Sequence, residues 1–93
     1  MKSQSDDISN LRNLGKTSAA WLRDAGIGTQ SQLRMIGPVV AYQIVRERIP
    51  KASLNLLWAL AAGLNNQDWR ELRTELKQQL LEELQRLTFS RDD

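Results

Sequence analysis

A turn near the start of the chain carries residue types that could hold a phosphate group. Residues 12–17 read Arg-Asn-Leu-Gly-Lys-Thr, so a hydrophobic residue lies between Asn13 and Gly15. In turns of this kind, backbone N–H groups point at a phosphate and a neighbouring Lys or Arg adds positive charge. Asn can adopt the left-handed conformation that Gly usually supplies. The candidate nucleic-acid-binding residues are therefore Arg12, Asn13, Gly15, Lys16 and Thr17.

The same pattern returns 22 residues later. Residues 11–22 and 33–44 both read Leu-Arg-x-[Leu/Ile]-Gly-x-x-x-Ala-x-x-[Leu/Ile]. Such a repeat predicts two helical hairpins that pack against each other. The second turn is a poor phosphate site because Pro38 lacks an N–H group. We therefore favour packing as the reason for the repeat, with phosphate binding by the first turn as the alternative. Packing of the two hairpins would bury three pairs of residues, Leu14/Ile36, Ala19/Ala41 and Leu22/Ile44.

Composition excludes several classes of function. The chain has 93 residues, 41% of them hydrophobic, which is enough for one small domain with a modest core. It contains no Cys and no His, so it lacks thiol nucleophiles, the usual zinc ligands and the usual general base near neutral pH. We therefore expect no enzyme activity, catalytic residue, metal site, cofactor or small-molecule substrate. No apolar run approaches the roughly 20 residues of a membrane span, and we expect a cytoplasmic protein.

Charge is distributed unevenly although the net charge is only +2. Residues 1–65 hold eight Lys or Arg and four acidic residues, whereas residues 66–93 hold five basic and seven acidic residues. The half that contains the repeat is thus the basic half. An excess of this size favours a polyanion weakly and is also common on ordinary solvated surfaces.

The apolar spacing predicts an all-α domain over residues 8–88, of the tandem helix-hairpin-helix-like (SAM-like) type with five to six helices. Residues 1–7 and 89–93 are polar, and we expect them to be disordered tails. Helix ends follow from capping residues, Gly and Pro. The predicted helices span residues 7–15, 18–24 after a cap at Thr17 or Ser18, 31–36 after Thr29, 38–48, 54–64 after Ser53, and 68–87.

Large apolar residues suggest the core and one candidate partner surface. Trp58 lies in the apolar helix 54–64 and is expected in the core, and Trp69 is expected to close the core. The leucines of the last helix extend beyond what the hairpins would cover, which would suit a protein partner or a homodimer. The alternative, which we favour, is that this helix folds back across both hairpins. The candidate partner-binding residues are Trp21, Tyr42, Leu80, Leu81, Leu84 and Leu87.

Two segments resemble a known family. Residues 13–37 read Asn-Leu-Gly-Lys-x4-Trp-Leu-x2-Ala-Gly-Ile-x-Thr-x3-Leu-x2-Ile-Gly, and residues 53–72 read Ser-Leu-Asn-Leu-Leu-Trp-Ala-Leu-x2-Gly-Leu-x4-Trp-x2-Leu. Both are similar to the C-terminal domain of the TfoX/Sxy family. The resemblance covers roughly residues 9–80 and implies a bacterial regulatory role, since family members are associated with natural competence. This chain is too short to contain the N-terminal domain of the full-length members as well, so we expect a standalone C-terminal domain.

Two functions remain after this comparison. The first is a non-enzymatic regulatory domain that acts mainly through protein contacts. The alternative is direct, sequence-independent binding of the DNA backbone by the first hairpin.

Overall fold

The computed structural model describes residues 6–92, with side chains as far as residue 87. Along the chain lie a 3-10 helix at Ile8–Asn10, α1 (Lys16–Asp24), α2 (Gln30–Ile36), α3 (Pro38–Arg48), α4 (Leu54–Leu64), a second 3-10 helix at Trp69–Glu71 and α5 (Thr74–Asp92). Residues 6–92 contain no β-strand, and their one bridge pairs Asp7 with Thr29. The all-α class is confirmed.

Residues at the N-termini of the middle helices determine where these helices begin. The Thr29 hydroxyl accepts a hydrogen bond from the Gln32 N–H at 3.1 Å, and the Gln32 side chain accepts one from the Thr29 N–H, which forms a capping box for α2. Pro38 is the first residue of α3, and the Ser53 hydroxyl caps α4 by accepting from the Asn55 N–H. The predicted bounds of α3 and α4 are confirmed.

The helix predicted for residues 7–15 is wrong. Asp7 does cap a helix start, with its carboxylate accepting from the Ser9 N–H at 3.1 Å, but that helix is the short 3-10 helix Ile8–Asn10. Beyond it the backbone is extended at Leu11 and left-handed at Asn13, where φ is 75°. Both conformations are incompatible with a helix, and both serve contacts with distant parts of the chain.

The predicted tails are shorter than expected. The Asp6 carboxylate accepts hydrogen bonds from the Ser31 N–H and hydroxyl at 3.1 and 3.0 Å, and Asp7 forms an ion pair with Arg23 at 3.0 Å. The tail predicted for residues 1–7 is therefore wrong at these two positions. At the other end α5 continues to Asp92, inside the tail predicted for residues 89–93. Residues 1–5 and 93 lie outside the described part of the chain.

The last helix begins six residues later than predicted. The Asp68 carboxylate accepts from the Arg70 N–H and the Glu71 side chain accepts from the Asp68 N–H, which closes the 3-10 helix Trp69–Glu71. Leu72 then adopts an extended conformation and is buried. This break separates the short 3-10 helix from α5, which starts at Thr74.

Helix α4 lies at the centre of the core, as its sequence predicts. Its residues Leu57, Leu60 and Ala62 are fully buried and pack in one cluster with side chains from α1, α2 and α3.

Trp58 and Trp69 differ from the prediction. Trp58 is half-buried with the Lys77 ammonium 5.4 Å from its ring centroid, and Trp69 is 39% exposed. The expectation that Trp69 closes the core is therefore wrong.

The two copies of the repeat share core positions and differ at their turns. Leu11 and Leu33 are both buried, as are Ala19 and Ala41. In the first copy, however, a 3-10 helix stands where the second copy has α2. Gly15 has φ −88° and Gly37 has φ 87°, so the two turns have different backbone conformations. Ile36 is 38% exposed, which contradicts its expected burial against Leu14.

Gly63 allows the N-terminal segment to cross α4 at very short range. A Cβ at this position would lie 2.6 Å from the Arg12 carbonyl oxygen and 2.8 Å from the Leu11 side chain. Atoms essentially never approach that closely without displacing a neighbour, and here the neighbour is backbone. Any larger residue at position 63 must therefore push residues 11 and 12 away from the core.

We predict that Gly63→Ala lowers the free energy of unfolding by about 2 kcal/mol, because overpacking exceeds the gain in helix propensity. Gly28→Ala is the matched control, since a Cβ there would meet only a Gln32 side-chain atom at 3.8 Å. The control should change stability by less than about 0.5 kcal/mol. Urea denaturation followed by circular dichroism measures both, and equal stability of the two variants would contradict the prediction.

Candidate functional site

Two of the five candidate phosphate-binding residues form side-chain hydrogen bonds within the protein. The Arg12 guanidinium donates to the Asn66 carbonyl oxygen at 2.8 Å. The Asn13 amide donates to the Gln67 carbonyl oxygen at 2.7 Å, and its oxygen accepts from the Trp69 N–H at 3.2 Å. We call Arg12 and Asn13, with the three groups that they bond, the N-terminal clamp. It ties the start of the chain to the loop after α4.

The clamp changes the interpretation of the left-handed turn. Asn13 adopts the predicted left-handed conformation. Its side chain, however, satisfies one carbonyl and one N–H of residues 67–69, so the conformation serves folding. The Leu14 N–H also bonds within the segment, to the Leu11 carbonyl oxygen at 3.2 Å. These groups are therefore engaged before any ligand arrives.

The other three candidates lie at the start of α1. Gly15 is the N-cap residue, and no side chain caps this helix. Lys16 and Thr17 occupy the first turn and are exposed, and that turn contains no acidic residue. The predicted set is thus split, because Arg12 and Asn13 belong to the clamp while Lys16 and Thr17 face solvent.

A groove of about 470 Å³, lined by both polar and apolar groups, lies where α1 and α4 begin. We call it the Trp groove because Trp21 and Trp69 both line it. Lys51 from the α3–α4 loop lines it as well. No Asp or Glu is among its lining residues; the others are Asn13, Thr17, Ser18, Ser53, Asn55, Leu56 and Ala59.

The candidate partner-binding residues differ in how exposed they are. Tyr42 is 0% exposed, and its hydroxyl donates to the Ala52 carbonyl oxygen at 3.2 Å. Leu80 is 7% exposed. Both are wrong as surface contacts, because burial in the core makes them inaccessible. Trp21 and Leu84 are half-buried and pack on the core.

Helix α5 folds back onto the rest of the domain. Leu87, like Leu84, is half-buried against the core, and α5 contacts α3. Leu81 is half-buried. The part of the favoured prediction that concerns the second hairpin is therefore confirmed, and the leucine stripe of α5 is largely used for folding.

Sequence reasoning missed the most exposed apolar residues as a surface. Met35 is 86% exposed and Ile36 is 38% exposed at the end of α2. Both line an apolar groove of about 410 Å³ together with Ala25 and Ile44. We call these four residues the apolar patch. The sequence analysis predicted burial for Ile36 through the repeat and made no prediction for Met35.

Two exposed ion pairs fix loops near these surfaces. Hydrogen bonds from the Arg70 guanidinium and N–H lower the pKa of Asp68 to about 2. A hydrogen bond from the Ser9 N–H, followed by one from Arg23, lowers the pKa of Asp7. The Arg70 guanidinium also lies 6.0 Å from the centroid of the Trp69 ring. These carboxylates are thus ionised structural acceptors at neutral pH.

The described residues contain neither a membrane-spanning helix nor a cluster of metal ligands. In residues 6–92, no helix has both the length and the apolar character to cross a bilayer. Among the side chains described, which end at residue 87, no three of His, Cys, Asp or Glu come together as metal ligands.

Comparison with known proteins identifies the family. The family model described as the TfoX C-terminal domain matches residues 4–84. The chain belongs to the TfoX C-terminal domain family. No curated protein matches this TfoX C-terminal domain.

Two crystal structures from Listeria monocytogenes share the fold. An uncharacterized protein in a triclinic form has a TM-score of 0.79 and 28% identity, over 88% of this chain and 93% of that one. A protein of unknown function in a tetragonal form has a TM-score of 0.78 and 29% identity, over 86% of this chain and 99% of that one. The TfoX C-terminal domain therefore has solved relatives that show its architecture.

We predict that Asn13→Gly lowers the free energy of unfolding by about 2 kcal/mol, since each of its two hydrogen bonds contributes about 1 kcal/mol. Gly keeps the left-handed backbone, so this variant isolates the side chain. Asn13→Ala should lose about 1 kcal/mol more because a Cβ disfavours that conformation. Chemical denaturation measures both, and a fully stable Asn13→Gly would show that the clamp contributes nothing to folding.

Proposed function

We propose that this TfoX C-terminal domain is a non-enzymatic protein-binding module that docks its partner on the apolar patch. The exposure of Met35 is the observation that carries the proposal. A side chain that is 86% exposed contributes little to the core of its own domain. Contiguous exposed apolar side chains mark interaction sites on soluble proteins.

The placement of the patch supports a docking role. Leu33 already provides the buried contact of α2 with the core, so Met35 and Ile36 are not needed for packing. Gly37 ends α2 with a positive φ and Pro38 starts α3, which fixes the position of the patch on a rigid corner. The flexible thioether side chain of Met adapts to varied partner surfaces.

The shape and chemistry of the patch define the kind of partner. Its groove is lined mainly by aliphatic groups, with Gln32 as the polar residue at its edge. A partner helix that presents one or two large apolar side chains would fill it. The TfoX family points to gene regulation in the bacterial cytoplasm, and competence is the pathway that we propose to test first.

DNA-backbone binding by the first hairpin has less support. The clamp holds Arg12 and Asn13 on carbonyl groups of residues 66 and 67, which leaves Lys16 and Thr17 as the exposed side chains of that set outside the clamp. One cation and a short helix start give weak, salt-sensitive attraction.

We predict that Met35→Glu weakens partner binding at least about tenfold, because it places a charge in the centre of an apolar contact. A photoreactive residue at position 35, used in the source bacterium, first identifies the protein that contacts the patch. Calorimetry with that purified protein then compares the wild type with Met35→Glu. Stability should stay within about 0.5 kcal/mol of the wild type, since the side chain is exposed.

Leu54→Glu is the matched control. Leu54 is also an exposed apolar residue, but it lies at the start of α4 and outside the patch. The Leu54→Glu variant should bind the partner with the same affinity as the wild type. Equal binding by Met35→Glu, or equal loss in both variants, would overturn the proposal. If the cross-linked protein is a second copy of this chain, the module is a homodimer.

A further inference from the structure

We propose that the Trp groove binds a nucleotide, with the base stacked on an indole and the phosphate held by Lys51. This site shares no residue with the apolar patch, so the inference is independent of the proposed function. The groove holds about 470 Å³, which is within the range of small-molecule sites. Its aromatic residues can stack on the base of a nucleotide, and its lysine can bind the phosphate.

The indole of Trp69 is positioned before any ligand binds. Its backbone N–H donates to Asn13, and the Arg70 guanidinium lies 6.0 Å from its ring centroid. Asp68 in turn holds Arg70, with two side-chain hydrogen bonds of 3.1 Å. The backbone of Trp69 is thus held by Asn13 and its ring has a contact with Arg70, and this 39% exposed residue offers an indole on which a base can stack.

The remaining groups suit a phosphate. Lys51 is exposed and provides the positive charge of the groove. Thr17 and Ser18 add hydroxyl donors, and the Ser53 hydroxyl keeps its proton for a ligand because its oxygen is the acceptor of the Asn55 N–H. No carboxylate lines the groove to repel an anion. An inorganic anion would use the lysine and the hydroxyls but neither indole, whereas the two indoles favour a ligand with a planar ring.

Two sources supply this chemistry, a free nucleotide and a nucleotide within a single strand. Thymidine monophosphate and a short oligothymidylate are therefore both titrated, with inorganic phosphate as a third arm. The indole N–H signals in two-dimensional NMR spectra report the site directly. Signals of Trp21 and Trp69 should shift, whereas that of Trp58, beside Lys77, should not.

Binding by both nucleotide ligands would assign the groove to free nucleotides, and binding by the oligonucleotide alone would assign it to single strands. Either result supports the proposal. An absence of shifts with both ligands at millimolar concentration would overturn it. Equal shifts with inorganic phosphate would also overturn it, because the base would then contribute nothing.

Variants locate the site. Lys51→Gln and Trp69→Leu should each lower affinity by about fivefold or more, the lower limit for loss of one stacked base or one close cation. Arg34→Gln is the matched control, since Arg34 is an exposed cation on α2 that does not line the groove. It removes the same charge and should keep at least half of the affinity.

The Thr17→Glu variant should fold normally, because a negative charge is favourable in the first turn of a helix such as α1. It should abolish nucleotide binding, because the new carboxylate in the groove repels the phosphate. A loss in Arg34→Gln equal to that in Lys51→Gln, or full binding by Thr17→Glu, would contradict the assignment. Thermal denaturation of each variant confirms that it is folded.

Discussion

Gly63 and the backbone of residues 11 and 12 are in such close contact that a Cβ at position 63 would lie 2.6 Å from the Arg12 carbonyl oxygen. This contact brings Leu11 into the core and carries the next two side chains to the loop after α4. Asn13 then bonds the Trp69 N–H, which sets one wall of the Trp groove. A single glycine in the central helix thus determines how the start of the chain, the loop and the groove fit together.

The same contact decides which surfaces are available for function. A short polar turn rich in Arg, Asn and Lys is typical of phosphate binding, but here two of its side chains satisfy backbone carbonyl groups of the protein. Hydrogen bonds of this kind are lost if the side chain turns to a ligand, so a functional role would compete with folding. Met35 in the apolar patch and Trp69 in the Trp groove are, in contrast, large apolar residues that remain exposed. They lie on separate elements and differ in chemistry, which allows one small domain to hold two kinds of contact.

Sequence reasoning succeeded where a feature depends on a few neighbouring residues. Thr29, Pro38 and Ser53 start helices through their own side chains and backbone geometry, and the structure has these helices at the predicted places. It failed where distant residues decide the outcome. The first helix is replaced because Asn13 bonds a loop 54 residues further along the chain. Tyr42 is buried because its hydroxyl has a partner at Ala52. For the candidate site, spacing found the polar turn but could not show that its side chains are engaged, nor that Met35 is exposed.

The coupling between Gly63 and Asn13 tests the central claim most directly. Unfolding free energies of Gly63→Ala, Asn13→Gly and the double variant form a double-mutant cycle. If Gly63 acts by letting residues 11–13 dock, then the Gly63→Ala substitution by itself already weakens the Asn13 hydrogen bonds. The double variant should then lose less stability than the two single losses combined, by more than about 0.5 kcal/mol. Losses that add within about 0.5 kcal/mol would show that the two sites act independently, and would contradict the account.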